Sequence, residues 1–231
     1  MPLKNFKKHK YDVLHHMETK MKSFKHFFYE GVGGKSDTLH AFDMDETIFA
    51  HDKKHLKVHV MDQGGNRVRT LTNQEYNNHT LSPGQYYDYS DFKSSDIFHK
   101  SARPIRKMLA KMKAIHNNGG KVEIVTARQD FDSKERFGRE LGRYGIDINK
   151  IHVRRSGNLD PRGHPAVNKA NMVSKLIRQS GYKKVHLYDD SEPNLDHFLK
   201  LKGRHPDVDF VAHHVQHDPE TDEVRLTTKS S

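Results

Sequence analysis

The sequence predicts an α/β fold in which a mostly parallel sheet carries helices on both faces, in a three-layer, Rossmann-like arrangement. Two observations predict it: short apolar runs recur along the chain, and amphipathic stretches of helical length separate them. Strands that alternate with helices in this way form parallel sheets, because each crossover helix packs back onto the sheet. A chain of 231 residues is long enough for one such domain with an insertion.

The N-terminal residues 1–35 are predicted to form a basic arm that contains one amphipathic helix, over residues 9–30. The apolar residues of this helix recur at steps of three and four: Leu14, Met17, Met21, Phe24 and Phe28. Glycines after residue 30 end the helix. One apolar face favours packing against the main domain, with a dimer contact as the alternative.

The first strand is predicted at residues 38–44, and the texture of the sequence changes after it. Residues 51–100 are rich in tyrosine, asparagine, serine and aspartate, and the alternation around Gly64-Gly65-Asn66 indicates a hairpin. We therefore expect a small hairpin-containing insertion at 51–100, which divides a core domain into residues 36–50 and 101–215.

Regular alternation resumes after the insertion. Helices are predicted at 102–117, 130–144, 168–180 and 192–201, and strands at 121–127, 150–155, 183–190 and 208–215. Glycines follow the helical patterns, as is typical of helix C-termini. The strand at 208–215 is predicted to be the last, and residues 216–231 to form a C-terminal tail.

Composition narrows the possible settings and partners. The formal net charge of +10, concentrated in residues 1–35 and 103–155, favours a polyanionic partner such as nucleic acid or a phosphorylated substrate; solubility alone is the alternative. The absence of cysteine excludes disulfides and thiolate zinc sites. No apolar run approaches the ~20 residues of a membrane span, and no signal-peptide core follows the basic N-terminus. A cytoplasmic protein without membrane association is expected, and the oligomeric state stays open.

Polar groups suited to phosphate chemistry follow the predicted strands. Two carboxylates end the first strand, a hydroxyl ends the second, two more carboxylates end the strand at 183–190, and a lysine begins the helix before it: Asp43, Asp45, Thr126, Asp189, Asp190 and Lys169. Ligands gather at the carboxyl ends of parallel strands, so these groups are expected to converge. Carboxylate oxygens suit a hard divalent cation such as Mg²⁺, and lysine suits a phosphate.

These motifs resemble the haloacid dehalogenase superfamily of phosphohydrolases. The resemblance rests on DMDET at 43–47, VEIVTAR at 122–128, Asn168-Lys169 and LYDD at 187–190, and it covers roughly residues 38–215. The insertion falls where that family places its first cap. The VTAR and LYDD stretches also resemble the phosphatase domains of polynucleotide kinase-phosphatases, although a P-loop is absent and no kinase half is expected.

The resemblance implies a role for each residue. Asp43 is the nucleophile that forms an aspartyl-phosphate, and Asp45 is the general acid and base whose main-chain carbonyl also binds magnesium. Thr126 and Lys169 hold the phosphoryl oxygens. The metal ligands are Asp43, Asp45, Asp189 and Asp190, and the sequence does not decide which of the last two contacts the metal.

Several residues keep alternative interpretations. Arg128 is a candidate substrate-phosphate ligand or a surface residue, and Arg154 and Arg155 have the same two interpretations. Lys175 competes with Lys169, which is preferred because it lies at the helix start. Asn194, where the family often has an aspartate, is a candidate assistant at the metal site. The tyrosines of the insertion, Tyr86, Tyr87 and Tyr89, either stack on bases or pack a small core of their own.

The expected function is that of a magnesium-dependent phosphomonoesterase acting on nucleic acid ends or nucleotides, since a small cap leaves the site open to bulky substrates. The alternatives are a phosphatase acting on a small metabolite or a phosphoprotein, and a non-catalytic nucleic-acid-binding protein of the same fold. The sequence does not distinguish a 3′- from a 5′-phosphate.

Overall fold

A computed structural model of the chain describes residues 37–52, 54–72, 75–76, 78–160 and 163–231. The predicted arm at 1–35 and its helix at 9–30 lie outside the described residues. The strands are β1 (Thr38–Phe42), β2 (Phe49–His51), β3 (Val58–Met61), β4 (Arg67–Leu71), β5 (Tyr86–Asp88), β6 (Ala102–Pro104), β7 (Lys121–Thr126), β8 (His152–Arg155), β9 (Lys184–Asp189), β10 (Asp209–Asp218) and β11 (Glu223–Ser230). The helices are α1 (Ser90–Lys93), α2 (Ser95–Ser101), α3 (Arg106–Asn117), α4 (Lys134–Arg143), α5 (Pro165–Ser180) and α6 (Glu192–Leu199).

The main sheet has six strands in the order β11-β10-β9-β1-β7-β8. All neighbouring pairs are parallel except β10 and β11. The predicted α/β class and mostly parallel sheet are therefore confirmed. The parallel arrangement brings the carboxyl ends of β7, β1 and β9 side by side at one edge of the sheet.

Buried side chains cover both faces of this sheet. On one face α3 and α4 pack through Met108, Met112 and Phe137 against Phe42 and Ile124. On the other face α5 and α6 pack against β1 and β9, through Leu39, Ala41, Val173, Leu187 and Phe198. Each of the larger side chains, from Val to Phe, stabilises the fold by about 1.5–3 kcal/mol relative to exposure. Helices on both faces give the three layers that the sequence predicts.

The C-terminal prediction is wrong: residues 216–231 are not a tail. Strand β10 continues to Asp218, and β11 pairs with it in antiparallel register from Val211↔Ser230 to Asp218↔Glu223. Strand β11 lies at the edge of the sheet, with most of its side chains exposed. Val224 and Leu226 pack, partly buried, against the core, but two alternating apolar residues are too weak a pattern to predict a strand.

Three helix starts also differ from the prediction. The helix predicted at 130–144 begins only at Lys134, after its N-cap Ser133. Residues 102–104 pair with β2, and α3 begins only at Arg106, because the residue before Pro104 favours extended backbone. The helix predicted at 168–180 begins three residues earlier, at Pro165, whose fixed φ suits the first helical turn.

The insertion forms its own three-stranded antiparallel sheet, in the order β4-β3-β5. The predicted hairpin is confirmed: β3 and β4 pair across a turn in which Asp62 Oδ1 accepts from the backbone N–H of Asn66 at 2.8 Å. Gly65 has a φ of +77° in this turn, a conformation that glycine adopts without strain. The chain enters and leaves the insertion through the antiparallel pair of β2 and β6.

Stacked rings run across the main sheet on β1, β9 and β10. The ring centroids of His40 and His186 are 4.6 Å apart, those of His186 and His213 are 5.2 Å apart, and those of His213 and Tyr188 are 4.3 Å apart. Burial lowers the pKa of His40 to about 4, of His186 to about 2 and of His213 to about 3. Lys111, itself buried, lies 5.8 Å from the Tyr188 centroid. The three imidazoles are therefore neutral in the folded protein at neutral pH.

Candidate functional site

The carboxyl ends of β1, β7 and β9 bring together most of the predicted site residues. Asp43 follows β1, Thr126 ends β7 and Asp189 ends β9. Lys169, in the second turn of α5, reaches the same place from the helix face. Its Nζ donates to Asp43 Oδ1 at 2.8 Å and to Asp189 Oδ2 at 2.6 Å. One buried ammonium group thus bridges carboxylates from two neighbouring strands.

The alternative lysine does not reach this place. Lys175 lies on the same helix but is exposed, and it lines a separate cavity of about 320 Å³ with Arg154 and Arg155. Arg154 donates to Glu123 through Nε at 2.5 Å. The structure therefore places Lys175 and both arginines away from the carboxylates at the ends of β1 and β9.

Three carboxylates could hold a metal ion. One oxygen each from Asp43, Asp189 and Asp190 lies within 4.8 Å of the other two, and Asp43 and Asp189 are buried. Burial raises the pKa of Asp43 to about 7, with Lys169 opposing it. Burial also raises the pKa of Asp190, and the charges of Asp189 and Asp43 add to the increase. A divalent cation would relieve this repulsion, and oxygen ligands of this kind suit a hard cation.

Protein groups already occupy both oxygens of Asp189. Oδ2 accepts from Lys169, and Oδ1 accepts from the Ser191 backbone N–H at 3.0 Å and from Asn194 Nδ2 at 2.9 Å. Asp190 is bound less fully by side chains, since Thr47 Oγ1 donates to its Oδ1 at 3.4 Å. Asp190 therefore has more carboxylate oxygen available for a metal ion than Asp189. Asn194, a candidate assistant at the metal site, binds Asp189 directly.

The side chain of Asp45 turns away from this cluster toward two cationic or basic groups. Arg128 donates to it through Nε and Nη2, and His51 Nε2 lies 2.7 Å from Asp45 Oδ1. Burial alone would raise the pKa of Asp45, but the Arg128 guanidinium and the His51 hydrogen bond outweigh it and hold the pKa well below the ordinary value. Asp45 is therefore ionised, and its carboxylate is not one of the three that could hold a metal ion.

Arg128 is not a surface residue, contrary to one of its two predicted interpretations. It is buried, its Nη1 donates to the Phe92 carbonyl at 2.7 Å, and its guanidinium carbon lies 4.9 to 5.4 Å from the ring centroids of Phe92, Phe98 and Phe131. Since Phe92 belongs to the insertion, Arg128 links the insertion to Asp45. The second interpretation, phosphate binding, stays a prediction: Arg128 borders the same cavity as Asp43, although Asp45 and the Phe92 carbonyl already engage its guanidinium.

His51 was not predicted as a site residue. Its ring is almost completely buried, its Nδ1 lies 2.8 Å from Ser101 Oγ, and burial lowers its pKa. His51 ends β2, and Ser101 is the residue before β6, so the short β2–β6 pair positions this imidazole behind Asp45. A single histidine among nineteen, on a strand of three residues, gave no sequence signal.

A tight turn shapes the loop between β1 and β2. The backbone N–H groups of Ile48 and Phe49 both donate to the Met44 carbonyl, at 3.1 and 2.9 Å. Glu46 has a φ of +56°, which costs about 1–2 kcal/mol for a residue with a Cβ. Its side chain accepts from the His51 backbone N–H at 3.1 Å. The turn is therefore held from two sides, by the Met44 carbonyl and by the Glu46 carboxylate.

The end of β7 is fixed by close backbone packing. Thr126 is fully buried, and its Oγ1 accepts from the Arg128 backbone N–H at 3.2 Å. Ser156 Oγ donates to the Thr126 carbonyl at 2.9 Å. A Cβ on Gly157 would lie 2.3 Å from the Ala127 carbonyl oxygen, so only glycine allows this approach. Thr126 thus holds the loop that carries Arg128.

A cavity of about 400 Å³ lies above these groups. Core residues that line it include Asp43, Asp45, Arg128, Lys169 and Asp190. The insertion contributes Val58 and the aromatic residues Tyr76, His79, Tyr87, Tyr89 and Phe92. Both predicted catalytic carboxylates therefore border one space between the core and the insertion.

The three tyrosines predicted either to stack on bases or to pack a small core differ in their surroundings. Tyr87 and Tyr89 pack, with Tyr76 and Phe92, against the buried Val58, Val60 and Leu71 of the insertion, so the predicted small core is confirmed for them. Tyr86 belongs to neither group: it is 48% exposed and does not line the cavity.

Comparison with known proteins adds no identity. No protein-family model matches the chain, and no curated protein matches it. Among the described residues, no helix combines the length and the apolar character needed to cross a membrane.

Proposed function

We propose that this protein is a magnesium-dependent phosphomonoesterase of the haloacid dehalogenase type, acting through an aspartyl-phosphate on nucleic acid ends or nucleotides. The observation that carries the proposal is the position of Asp43. It borders a cavity of ligand size, it is bound to the buried Lys169, and it shares a cation-binding cluster with Asp189 and Asp190. In this proposal the insertion is the cap and the six-stranded sheet is the family core.

The first step is attack by an Asp43 oxygen on phosphorus, in line with the leaving alcohol. The bond from Asp43 oxygen to phosphorus forms while the bond from phosphorus to the alcohol oxygen breaks, and the alcohol takes a proton. The nucleophile must be ionised, and burial works against ionisation by raising its pKa to about 7. Lys169 favours the ionised form and also offers an N–H to a phosphoryl oxygen.

Magnesium would be held by Asp43 and Asp190, with Asp189 and the main-chain carbonyl of Asp45 as further candidate ligands. When bound, it would neutralise carboxylate and phosphoryl charge in the cavity. Asn194 and Ser191 orient Asp189, which in turn orients Lys169.

Asp45 supplies the proton chemistry of both steps. In the first step its carboxyl protonates the leaving alcohol, and in the second its carboxylate takes a proton from the water that attacks phosphorus. That attack releases inorganic phosphate and restores Asp43. The pairing with Arg128 and His51 favours the carboxylate needed in the second step. Proton uptake before the first step therefore has to weaken the pair of Asp45 and Arg128.

The experiment is a screen for phosphate release from mononucleotides, 3′- and 5′-phosphorylated oligonucleotides, sugar phosphates and a phosphopeptide, with Mg²⁺ or with EDTA. We expect release from nucleotide or oligonucleotide substrates with Mg²⁺ and none with EDTA or in Asp43→Asn. Asp52→Asn is the matched control, because Asp52 pairs with His55 at the surface. Turnover of sugar phosphates or the phosphopeptide alone would favour the small-metabolite or phosphoprotein alternative. Nucleic acid binding without turnover would favour the non-catalytic one.

A further inference from the structure

The side of the cavity formed by the insertion is aromatic. Tyr76, Tyr87, Tyr89 and Phe92 line it, and we call these four residues the aromatic roof. The same cavity is bordered by Asp43 on the side of the core. A ligand that presents a phosphate to Asp43 therefore has its remaining atoms next to these rings.

The hydroxyl groups of the roof are already bound within the insertion. Tyr76 Oη and Tyr89 Oη lie 2.9 Å apart, and Tyr87 Oη donates to the His79 carbonyl at 2.8 Å. The rings brace one another at steep angles, with interplanar angles of 77° between Tyr76 and Tyr87 and 85° between Tyr76 and Tyr89. The roof thus offers ring surface to a ligand, and its hydroxyls are engaged elsewhere.

Packing inside the insertion does not account for the whole arrangement. Val58, Val60 and Leu71 are buried and form the apolar centre, and of these only Val58 reaches the cavity. The four roof rings are only partly buried, and all of them border the cavity. Tyr86, one residue before Tyr87, points away from both. The chain therefore places the rings of the roof, but not the ring of Tyr86, at the cavity that contains the carboxylates.

We propose that the aromatic roof stacks on the base of the nucleoside that carries the phosphate, and that it does so without reading which base is present. This inference rests on the phosphatase function proposed above. Stacking on aromatic side chains tolerates every base, because every base has a π-face. A space of about 400 Å³ lies within the range of small-ligand pockets, so it suits a single nucleoside phosphate.

Two sources supply this ligand chemistry: a free nucleotide, and the phosphorylated terminal nucleotide of a strand. The experiment measures KM and kcat for the four 5′-mononucleotides, the four 3′-mononucleotides, ribose 5-phosphate and a phosphorylated tetranucleotide. We expect KM for nucleotides of the preferred class to lie about tenfold below that for ribose 5-phosphate. The four bases should differ by only a few-fold. Turnover of the tetranucleotide would assign the ligand to strand ends, and its absence would assign the ligand to free nucleotides. In either case the variants test the stacking proposal.

The variants separate stacking from hydroxyl recognition and from folding. Tyr89→Leu should lower the selectivity for nucleotide over ribose phosphate by about tenfold, whereas Tyr89→Phe should keep the selectivity. Tyr86→Leu is the matched control outside the cavity. Thermal unfolding of each variant tests for folding, and Tyr87→Leu replaces Tyr89→Leu if the latter does not fold.

Equal selectivity in Tyr89→Leu, Tyr87→Leu and wild type would overturn the proposal, as would a hundredfold preference for one base. A failure of the phosphatase function is a different result: no substrate is turned over. Calorimetry with Asp43→Asn then measures ligand binding separately from turnover. Nucleotides that bind more tightly than ribose 5-phosphate, and more weakly once Tyr89→Leu is introduced, would support stacking on the roof. Equal affinities would overturn the stacking proposal.

Discussion

Arg128 binds both oxygens of the Asp45 carboxylate: Nε lies 2.9 Å from Oδ2, and Nη2 lies 2.7 Å from Oδ1. The pair joins the loop after β7 to the loop after β1, and Phe92 joins both to the insertion. A planar guanidinium makes this contact with a geometry that an ammonium group cannot copy.

We therefore expect Arg128→Lys to lower kcat by about ten- to a hundredfold, with little change in KM. This loss is a part of the rate enhancement that a positioned acid–base group such as Asp45 contributes. Steady-state kinetics on the best substrate of the screen measures this. Arg154→Lys is the control, since Arg154 binds Glu123 outside the cavity. A higher KM at constant kcat would instead support the sequence-based interpretation that Arg128 binds the substrate phosphate.

Asp45→Asn tests proton transfer to the leaving group. Alkyl phosphates have poor leaving groups and need the proton, so their kcat should fall by about 10²–10⁴-fold. p-Nitrophenyl phosphate has a good leaving group, so its loss should be far smaller. Parallel kinetics on the two substrates gives the ratio. Equal losses would assign Asp45 to structure or metal binding only.

Lys169→Met removes the cationic group that bridges two buried carboxylates, Asp43 and Asp189. We expect the free energy of unfolding, measured with urea in EDTA, to fall by about 3–5 kcal/mol at pH 8. The loss should be smaller at pH 5, because Asp43, whose pKa burial raises to about 7, is then largely protonated. Lys175→Met, an exposed change on the same helix, should stay within about 0.5 kcal/mol. A pH-independent loss would contradict this account.

The stacked histidines predict loss of stability in acid. The pKa values of these histidines are lower in the folded than in the unfolded protein. The stability that comes from burying the neutral rings is therefore complete above pH 6.5 and decreases as the pH falls toward 4. His40→Phe keeps a ring beside His186 and should flatten the curve of unfolding free energy against pH by up to about 1.4 kcal/mol per pH unit. Urea titrations from pH 4 to 8 measure it. His55→Phe, at a ring that is 40% exposed, is the control, and an identical change in both variants would refute the prediction.

Asp43, Lys169 and Asp189 could be predicted from the sequence, because strand order and chain direction determine where strand ends meet. An apolar run followed by an acid marks a strand end, and parallel neighbours bring such ends together. The pattern says nothing about which oxygen is free. The preference for Asp190 over Asp189 emerged only from the hydrogen bonds of Asn194 and Ser191.

Residues that act through burial were out of reach of the sequence. Arg128 was predicted as a phosphate ligand or a surface residue, and its burial could not be foreseen because Phe92 and Phe98, which cover it, precede it by a whole strand and helix. His51 belongs to a three-residue strand, too short for a period to be visible. Strand β11 turns only Val224 and Leu226 toward the core, a pattern too short to predict its pairing with β10.

The aromatic roof also gives this protein a built-in optical signal. The chain contains no tryptophan and nine tyrosines, so its near-ultraviolet emission comes from tyrosine alone. Three of those tyrosines, Tyr76, Tyr87 and Tyr89, line the cavity. A base that stacks there would quench their light, so occupancy and its rate could be followed in unlabelled protein by stopped flow.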